Sequence, residues 1–572
     1  MRKILLTLVA LATLAAPRSY ACTNVIITKG ASADGSCMVS YAADSHWLFG
    51  ELYFHPAADY KPGARLAITE WDTYKPLGEI AQVSHTYQTV GNMNEHQLII
   101  GETTWGGRAE QVDTTGIMDY GSLIYITLQR ARTAREAIQT IVDLANEYGY
   151  ASSGETFSIA DTDEAWIMDL VGKGPGNKGI VWVARRIPDG YICAHANQSR
   201  ITTFPQNDPD NTLFAPDVIS YARQMGWFDG EDADFSFRDA YNPLDFGGVR
   251  GCDARAWSAF NILCDGQFTV QENGGETVYP ADNWLNYAMG YELDSEMPLW
   301  VKPSRKITMK NVADVMRDHY EGTPMDMRTD IGAGGNACPY RWRPMNFSWD
   351  GKTYVNERAI ATQQTGFWFV AQARGWLPDV IGALVWFGCD DAATSYLTPI
   401  YINTKDVPDC LRVGNGDLLH YSPTSQFWIN NRISNACYRM YDQMEPYVRE
   451  RIDRFELLQQ DERIPKMDER LLKLYNGNGK NPGKKSAVKK VKKLLTRCSV
   501  ETAQLQFAYW FKLEEALTVK FIDGNVKAQD ERGKFLHSQY HEGTPDGLTQ
   551  PGYTEKWKEA VAKDHGSVIE VK

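Results

Sequence analysis

Cys22 is the residue whose type and position could do the most chemistry, because it follows a segment built like a leader peptide. Residues 2–3 are basic, residues 4–16 are almost entirely apolar, and Ser19-Tyr20-Ala21 has the small-x-small pattern that a leader peptidase cleaves. Cleavage after Ala21 would make Cys22 the first residue of the mature chain. A thiol nucleophile and a free α-amine, able to act as its base, would then belong to one residue.

Two other roles for Cys22 are compatible with the leader. A lipoprotein carries lipid on the cysteine after its cleavage point, but such sites usually have Leu three residues earlier, where this chain has Ser19. Cys22 could also be a buried or disulfide-bonded thiol. The leader leaves nucleophile, lipid site and inert thiol open, so the downstream residues must decide.

Composition indicates a folded, enzyme-sized protein. The chain has 572 residues, of which 43% are hydrophobic and 12% aromatic, and its net charge of −13 disfavours nucleic acid as a partner. No second apolar stretch is long enough to span a membrane. We therefore expect an exported protein, periplasmic or extracellular. The basic run 480–493 has interspersed apolar residues, which favours a solvated helix face.

Neither a metal site nor a cofactor is predicted. The ten cysteines are scattered without a CxxC pair, and setting Cys22 aside leaves an odd number, so at least one more thiol is unpaired. His537 and His541 are four residues apart, but Ser538 replaces the Glu of a metalloprotease helix.

Hydrophobic periodicity predicts an α+β fold. A strand at 24–28, a turn and a returning strand at 37–41 form a hairpin with Cys22 at its edge, and Thr133 with Glu136 begins a helix that ends by Gly149. Further strands are predicted at 97–101, 156–160, 165–171, 180–186, 191–194, 366–373 and 383–387, with another helix within 116–130. The predicted divisions are a signal peptide (1–21), a main domain (22–426) and a helical region (427–572).

An N-terminal cysteine can hydrolyse amides without a histidine. A free α-amine titrates near 7.7–8.0 and a thiol near 8.5, so proton transfer between them is nearly balanced at neutral pH. The site also needs a group that orients the amine and donors for the oxyanion. Asp44, after the second strand, is placed to orient the amine.

Short motifs along the chain resemble, in order, the secreted dipeptidases of peptidase family C69, which belong to the N-terminal nucleophile (Ntn) hydrolases. The motifs include Cys22-Thr23, Asp34-Gly35-Ser36, Asp44-Ser45, Asn94-Glu95-His96-Gln97, Gly101-Glu102-Thr103-Thr104-Trp105, Ala196-Asn197-Gln198-Ser199-Arg200 and Tyr320-Glu321-Gly322-Thr323-Pro324. The resemblance implies a four-layer αββα sandwich. It also implies hydrolysis of dipeptides through a thioester at Cys22, with the α-amine of Cys22 as the base.

The resemblance assigns further catalytic residues. Asp44 matches the aspartate that positions the nucleophile, and Asn197 matches an asparagine beside the active cysteine. Thr104 falls where related acylases carry an oxyanion asparagine, so its backbone amide or hydroxyl would substitute. Arg255 is a weaker match to a late active-site arginine. Both residues also have a purely structural alternative. Asp44 would cap the segment after a turn, and Asn197 would hold the loop before the next strand.

A dipeptide also offers an ammonium and a carboxylate group. Glu102 would bind the ammonium group, unless it is a buried structural carboxylate, and Arg200 or Arg255 would bind the carboxylate. Arg200 has the alternative of a surface salt bridge.

The segment before Asp44 departs from the family. The family commonly has Arg-Asn-x-Asp, whereas this chain has Tyr41-Ala42-Ala43-Asp44. A cation that would stabilise the thiolate is therefore missing, unless Arg108, Arg200 or Arg255 fills its place.

Two other functions stay open beside the dipeptidase. An N-acyl amide hydrolase acting on bile-salt or penicillin-like conjugates would use the same machinery with another pocket. A lipid-anchored binding protein without catalysis would have a modified Cys22 and no free amine. The expected partner is a dipeptide or short peptide, and the sequence leaves side-chain preference and oligomeric state undetermined.

Overall fold

The computed structural model describes residues 22–272, 274–342, 345–477 and 482–572. The predicted signal peptide, residues 1–21, lies outside the described residues, as does the beginning of the basic run at Lys480.

Two antiparallel sheets form the centre of the described chain. Their strands, in chain order, are β1 (Thr23–Ile27), β2 (Cys37–Asp44), β3 (Phe54–His55), β4 (Thr89–Val90), β5 (Met93–Asn94), β6 (Ile99–Trp105), β7 (Gly154–Ala160), β8 (Ala165–Gly172), β9 (Ile180–Arg186), β10 (Ile192–His195), β11 (Thr212–Phe214), β12 (Trp300–Val301), β13 (Thr365–Ala373), β14 (Ala383–Cys389) and β15 (Thr398–Tyr401). The smaller sheet has the order β12-β10-β1-β2-β13-β14-β15, and the larger has β11-β9-β8-β7-β6-β5-β4-β3.

Strand β1 lies inside the smaller sheet and places Cys22 between the two sheets. It pairs with β10 on one side and β2 on the other, with Asn24 opposite His195 and Thr23 opposite Ala42. The predicted hairpin of β1 and β2 is confirmed, with Cys22 directly before its first strand, and β10 covers the other side of β1. Side chains alternate along β1, so Ile26 faces the core between the sheets and Val25 faces the outer core.

Buried polar side chains tie the sheets together at this level. Asn24 of β1 contacts Ser158 Oγ of β7 at 3.0 Å. The His195 ring contacts Thr103 Oγ1 and Ser158 Oγ, each at 2.7 Å. A Cβ on Gly101 would lie 2.7 Å from the Asn24 amide nitrogen, so this close approach requires glycine.

The α-helices of five or more residues lie outside the sheets and in the C-terminal region. They are α1 (Tyr120–Leu128), α2 (Ala134–Tyr148), α3 (Val218–Gln224), α4 (Phe237–Tyr241), α5 (Ala254–Leu263), α6 (Met309–Val315), α7 (Gln426–Cys437), α8 (Tyr441–Leu458), α9 (Ile464–Asn476), α10 (Lys485–Lys520) and α11 (Glu555–His565). Helices α1 and α2 contact the larger sheet, α5 and α6 contact the smaller sheet, and α10 contacts β15.

The helix beginning at Thr133 follows the prediction, since the Thr133 hydroxyl accepts a hydrogen bond from the Glu136 N–H at 3.2 Å. The prediction that helix continues to the end of the chain is wrong for 526–549. That segment forms two small antiparallel pairs, Val526–Lys527 with Leu548–Thr549 and His537–Ser538 with His541–Pro545. The preceding helix ends at Lys520, and Asp523 and Gly524 just after it have left-handed backbones (φ 55° and 75°) that do not continue a helix. The domain division at 426/427 stays a prediction.

All ten cysteines are unpaired, and they are all among the described residues. Within the part of the chain that the structure describes, no helix has the length and hydrophobicity needed to cross a bilayer. The basic run continues as the start of α10, where Val491, Leu494 and Leu495 are buried, as expected for one apolar side of a solvated helix.

His195 should make the stability of the fold sensitive to acid. Burial, together with the positive charge of Arg200, lowers the pKa of His195 to about 3, whereas an unfolded histidine titrates near 6.5. Below pH 6.5 the unfolded chain therefore binds a proton that the folded chain refuses, and stability is lost as the pH falls towards 3.

We expect the free energy of unfolding of the wild type, relative to His195→Gln, to fall by about 1.4 kcal/mol per pH unit between pH 6 and 4. Denaturant unfolding of both proteins across this range measures the difference. Parallel pH profiles would show that His195 is not a buried neutral ring.

Candidate active site

The Cys22 thiol is almost fully buried, with 4% of the residue exposed. Its Sγ lies 3.7 Å from Glu102 Oε1 and 3.8 Å from Tyr41 Oη. Burial raises the pKa of the thiol well above its ordinary value, and the negative charges of Glu102 and Asp44 raise it further. A hydrogen bond from the Asp44 N–H and the contact with the Tyr41 hydroxyl act in the opposite direction. The surroundings therefore favour the neutral thiol.

Asp44 ends β2 beside Cys22 and is bound by residues far along the chain. Its Oδ2 accepts from Arg358 Nη2 at 2.6 Å and its Oδ1 from Thr365 Oγ1 at 2.7 Å. Burial raises the pKa of Asp44, and the Arg358 guanidinium lowers it. The pairing of β2 with β13 shifts register between Ala43 and Asp44, which turns the carboxylate towards these donors.

Arg255, on the first turn of α5, holds Cys22 in place. Its Nη1 donates to the Cys22 carbonyl at 2.6 Å and to Thr23 Oγ1 at 2.8 Å. Its Nη2 donates to Asn197 Oδ1 at 2.8 Å, and its Nε donates to the Gly251 carbonyl at 3.0 Å. Burial and the nearby charge of Arg358 lower the pKa of Arg255. Every nitrogen of this guanidinium thus donates a hydrogen bond, and Nη1 ties the start of β1 to α5.

Asn197 and Thr104 continue the same network. Asn197 has a left-handed backbone (φ 50°), and its Nδ2 donates to the Thr104 carbonyl at 2.6 Å. The Thr104 hydroxyl donates to Glu155 Oε1 at 2.9 Å and lies 3.4 Å from Glu102 Oε2. The structure therefore brings Cys22, Arg255, Asn197 and Thr104 into one connected set.

The three arginines considered as replacements for the missing cation lie in different places. Arg255 contacts Cys22, as described. Arg108 donates to the Ala240 carbonyl at 2.7 Å and stacks over Trp227. Arg200 is 5% exposed and donates to backbone carbonyls, among them that of Ala194 at 2.7 Å. The contact of Arg200 with a substrate carboxylate stays a prediction.

Sequence reasoning missed Arg358 and the Tyr41–Glu102 pair. Arg358 is separated from Asp44 by 314 residues and belongs to no motif that could have signalled it. Tyr41, at the position of the usual arginine, donates to Glu102 Oε1 at 2.5 Å. The unusual tyrosine was a signal, since a buried hydroxyl needs a partner, but its partner could not be read from spacing.

A cavity of about 580 Å³ borders this network and has room for a dipeptide. Asn197, Arg255 and Arg358 belong to its lining, and the remaining walls come from residues 246–252 and 345–356. An ion pair between Arg250 and Glu357 joins the two walls. The cavity therefore carries several guanidinium groups close to the start of β1.

Comparison with known proteins identifies the family. The profile of Peptidase family C69 matches residues 55–453, which is more than half of the chain. The chain belongs to peptidase family C69. A probable dipeptidase of Salmonella dublin is 25% identical over 413 residues, covering 67% of this chain and 81% of the relative.

Further relatives carry similar names. A probable dipeptidase of Latilactobacillus sakei is 23% identical over 412 residues, covering 68% of this chain and 76% of the relative. Probable dipeptidase B of Lactococcus lactis subsp. lactis is 23% identical over 433 residues, covering 72% of this chain and 80% of the relative. The prediction of a peptidase enzyme of this family is confirmed.

The matched region contains Glu102, Asn197, Arg255 and Arg358 but begins after Cys22. It ends within α8, so α9 and the following helices lie beyond it.

We expect Arg255→Lys to lower kcat about a hundredfold with a smaller effect on KM, because one ammonium cannot hold Cys22, Thr23 and Asn197 together. Steady-state kinetics with a thermal melt checks this. Arg108→Lys, at a partly buried arginine outside the network, is the matched control. A folded Arg255→Lys protein with wild-type kcat would contradict the positioning role.

Proposed function

We propose that this protein is an exported cysteine-type dipeptidase that is activated by cleavage after Ala21. Family membership and the names of the relatives support the dipeptide substrate. The observation that carries the catalytic role of Cys22 is the Arg255 guanidinium, which binds the Cys22 carbonyl and the Asn197 side chain at once. A residue at a flexible chain start needs such a tie to act as a nucleophile.

We also assign the fold to the Ntn-hydrolase αββα sandwich. The two facing antiparallel sheets support this assignment, as do α1 and α2 against one sheet and α5 and α6 against the other. Cys22 directly precedes an interior strand, β1, and its side chain lies between the sheets. In the uncleaved chain the Cys22 nitrogen belongs to a peptide bond and is no base, so the fold would form before the activity.

In the proposed reaction the Cys22 sulfur attacks the substrate carbonyl carbon while the thiol proton moves to the α-amine. The C–N bond then breaks as the α-ammonium returns that proton to the leaving amine, leaving a thioester on Cys22. Water, deprotonated by the same amine, hydrolyses the thioester. Asn197 is the proposed hydrogen-bond donor to the oxyanion. The Thr104 carbonyl accepts a hydrogen bond from Asn197 Nδ2 and so positions the Asn197 side chain.

The cavity supports binding of a small peptide with a free carboxylate. Arg250, Arg255 and Arg358 all contribute to its wall, and a substrate carboxylate is the anion expected there. Glu102 is 1% exposed, and its carboxyl group contacts Tyr41 and Cys22. We therefore do not propose Glu102 as the residue that binds the substrate ammonium.

We expect a chain starting at Cys22 to hydrolyse free dipeptides in preference to their N-acetylated, C-amidated forms. Cys22→Ser should lose nearly all activity, and one extra glycine before Cys22 should be nearly as harmful because it converts the amine into an amide. Kinetics of these three proteins, with intact mass to verify each N-terminus, measures the effects.

The glycine-extended protein isolates the amine, because its thiol is unchanged. Full activity of this protein would contradict the amine's role as base. Full activity of Cys22→Ser, or a purified natural protein that starts elsewhere or carries lipid on Cys22, would contradict the proposed nucleophile.

A further inference from the structure

The polar groups next to the thiol are acids rather than cations, which matters if Cys22 has the proposed role. Glu102 Oε1 lies 3.7 Å and Tyr41 Oη 3.8 Å from Sγ, and Tyr41 donates to the same Glu102 oxygen at 2.5 Å. All three side chains are at least 96% buried. The thiol therefore adjoins a carboxylate that accepts a hydrogen bond from Tyr41.

A second buried carboxyl group adjoins the first. Glu155 is fully buried and opposes Thr104 in the pairing of β6 with β7, and the Thr104 hydroxyl bridges the two glutamates. Glu155 Oε2 accepts no hydrogen bond from a donor among the described residues. A proton on Glu155 supplies the missing bond, because the acid then donates to Glu102.

We propose that Glu102 and Glu155 share one proton and, with Tyr41, direct the hydrogen of the Cys22 thiol towards Glu102, so that the nucleophile is stored as a neutral thiol. Glu155 is the acid of the pair and Glu102 the carboxylate. Tyr41, Glu155 and the thiol donate to Glu102, which satisfies a charge that burial would otherwise make costly.

The direction of each titration agrees with this assignment. Burial raises the pKa of Glu155 well above its ordinary value, and the charge of Glu102 raises it further. Burial also raises the pKa of Glu102, while hydrogen bonds from Glu155, Tyr41 and the thiol lower it. Within the pair, these directions favour the proton on Glu155 and the negative charge on Glu102.

The neighbouring titratable groups reinforce the acidic surroundings of the pair. Those facing it from the adjoining elements are Asp72, Tyr120, Tyr125 and Tyr150, and Glu51 and Asp119 face these tyrosines. On the other side of Cys22, Asp44 is paired with Arg358, and Arg255 binds the Cys22 carbonyl. The thiolate should therefore appear only at a pH above that of a free cysteine, near 8.5.

The test is the pH dependence of Cys22 alkylation by iodoacetamide in the mature protein, followed by peptide mass. In the wild type we expect a midpoint above 8.5. Glu102→Gln keeps the shape but removes the charge, so the midpoint should fall by at least one unit and the rate at pH 7 should rise about tenfold. Glu51→Gln removes a buried carboxyl group that does not contact Cys22, and should leave the midpoint unchanged.

A wild-type midpoint at or below 8.5, or an unchanged midpoint in Glu102→Gln, would overturn the proposal. If Glu102→Gln fails to fold, infrared difference spectra test the proposal instead. The wild type at pH 7 should show a protonated-carboxyl band that Glu155→Gln lacks. Absence of that band in the wild type would overturn the proposal. Alkylation of Cys22 does not require peptidase activity. If the protein shows the expected midpoints but hydrolyses no dipeptide, only the proposed function is refuted.

Discussion

The hydrogen bonds of the Arg255 guanidinium are the interaction on which the arrangement of the site depends. One planar group binds the carbonyl of Cys22, the hydroxyl of Thr23 and the side chain of Asn197. These residues come from the start of β1 and from the loop after β10, and α5 brings the arginine to them. A nucleophile at a chain terminus is joined covalently to only one neighbouring residue. Hydrogen bonds such as those of Arg255 must therefore hold it in position.

Charge in this buried region is separated into two sides. Arg255 and Arg358 lie towards the cavity, where Arg358 pairs with Asp44. Glu102 and Glu155 lie between the sheets, beneath the thiol. Buried charges persist only with partners, and here the partners are hydroxyl groups, a carboxylic acid and a fixed ion pair. The arginines therefore line the cavity, whereas a glutamate adjoins the thiol.

Local patterns in the sequence predicted the elements that carry Cys22, but not their long-range partners. The β1–β2 hairpin and the helix capped by Thr133 follow from residues adjacent in sequence, so they could be read directly. The Arg358–Asp44 pair and the contact of Tyr41 with Glu102 join segments that are distant in sequence. Both depend on how the strands and sheets pack against each other, which the spacing of residues along the chain does not reveal. Cys22 was found from the leader pattern, whereas Asn197 and Arg255 were found only because motif resemblance carries such long-range information. The strands within 526–549 were missed because each is too short to give a periodic signal.

The most direct test of Cys22 as the nucleophile is to trap the acyl-enzyme. A mature protein mixed with excess dipeptide ester and quenched in acid within one turnover should gain the mass of one aminoacyl group, and peptide mapping should place it on Cys22 as a thioester that hydroxylamine removes. An aminoacyl group on any other residue, or active turnover with no adduct even when a slow-deacylating ester is used, would contradict the covalent role of Cys22.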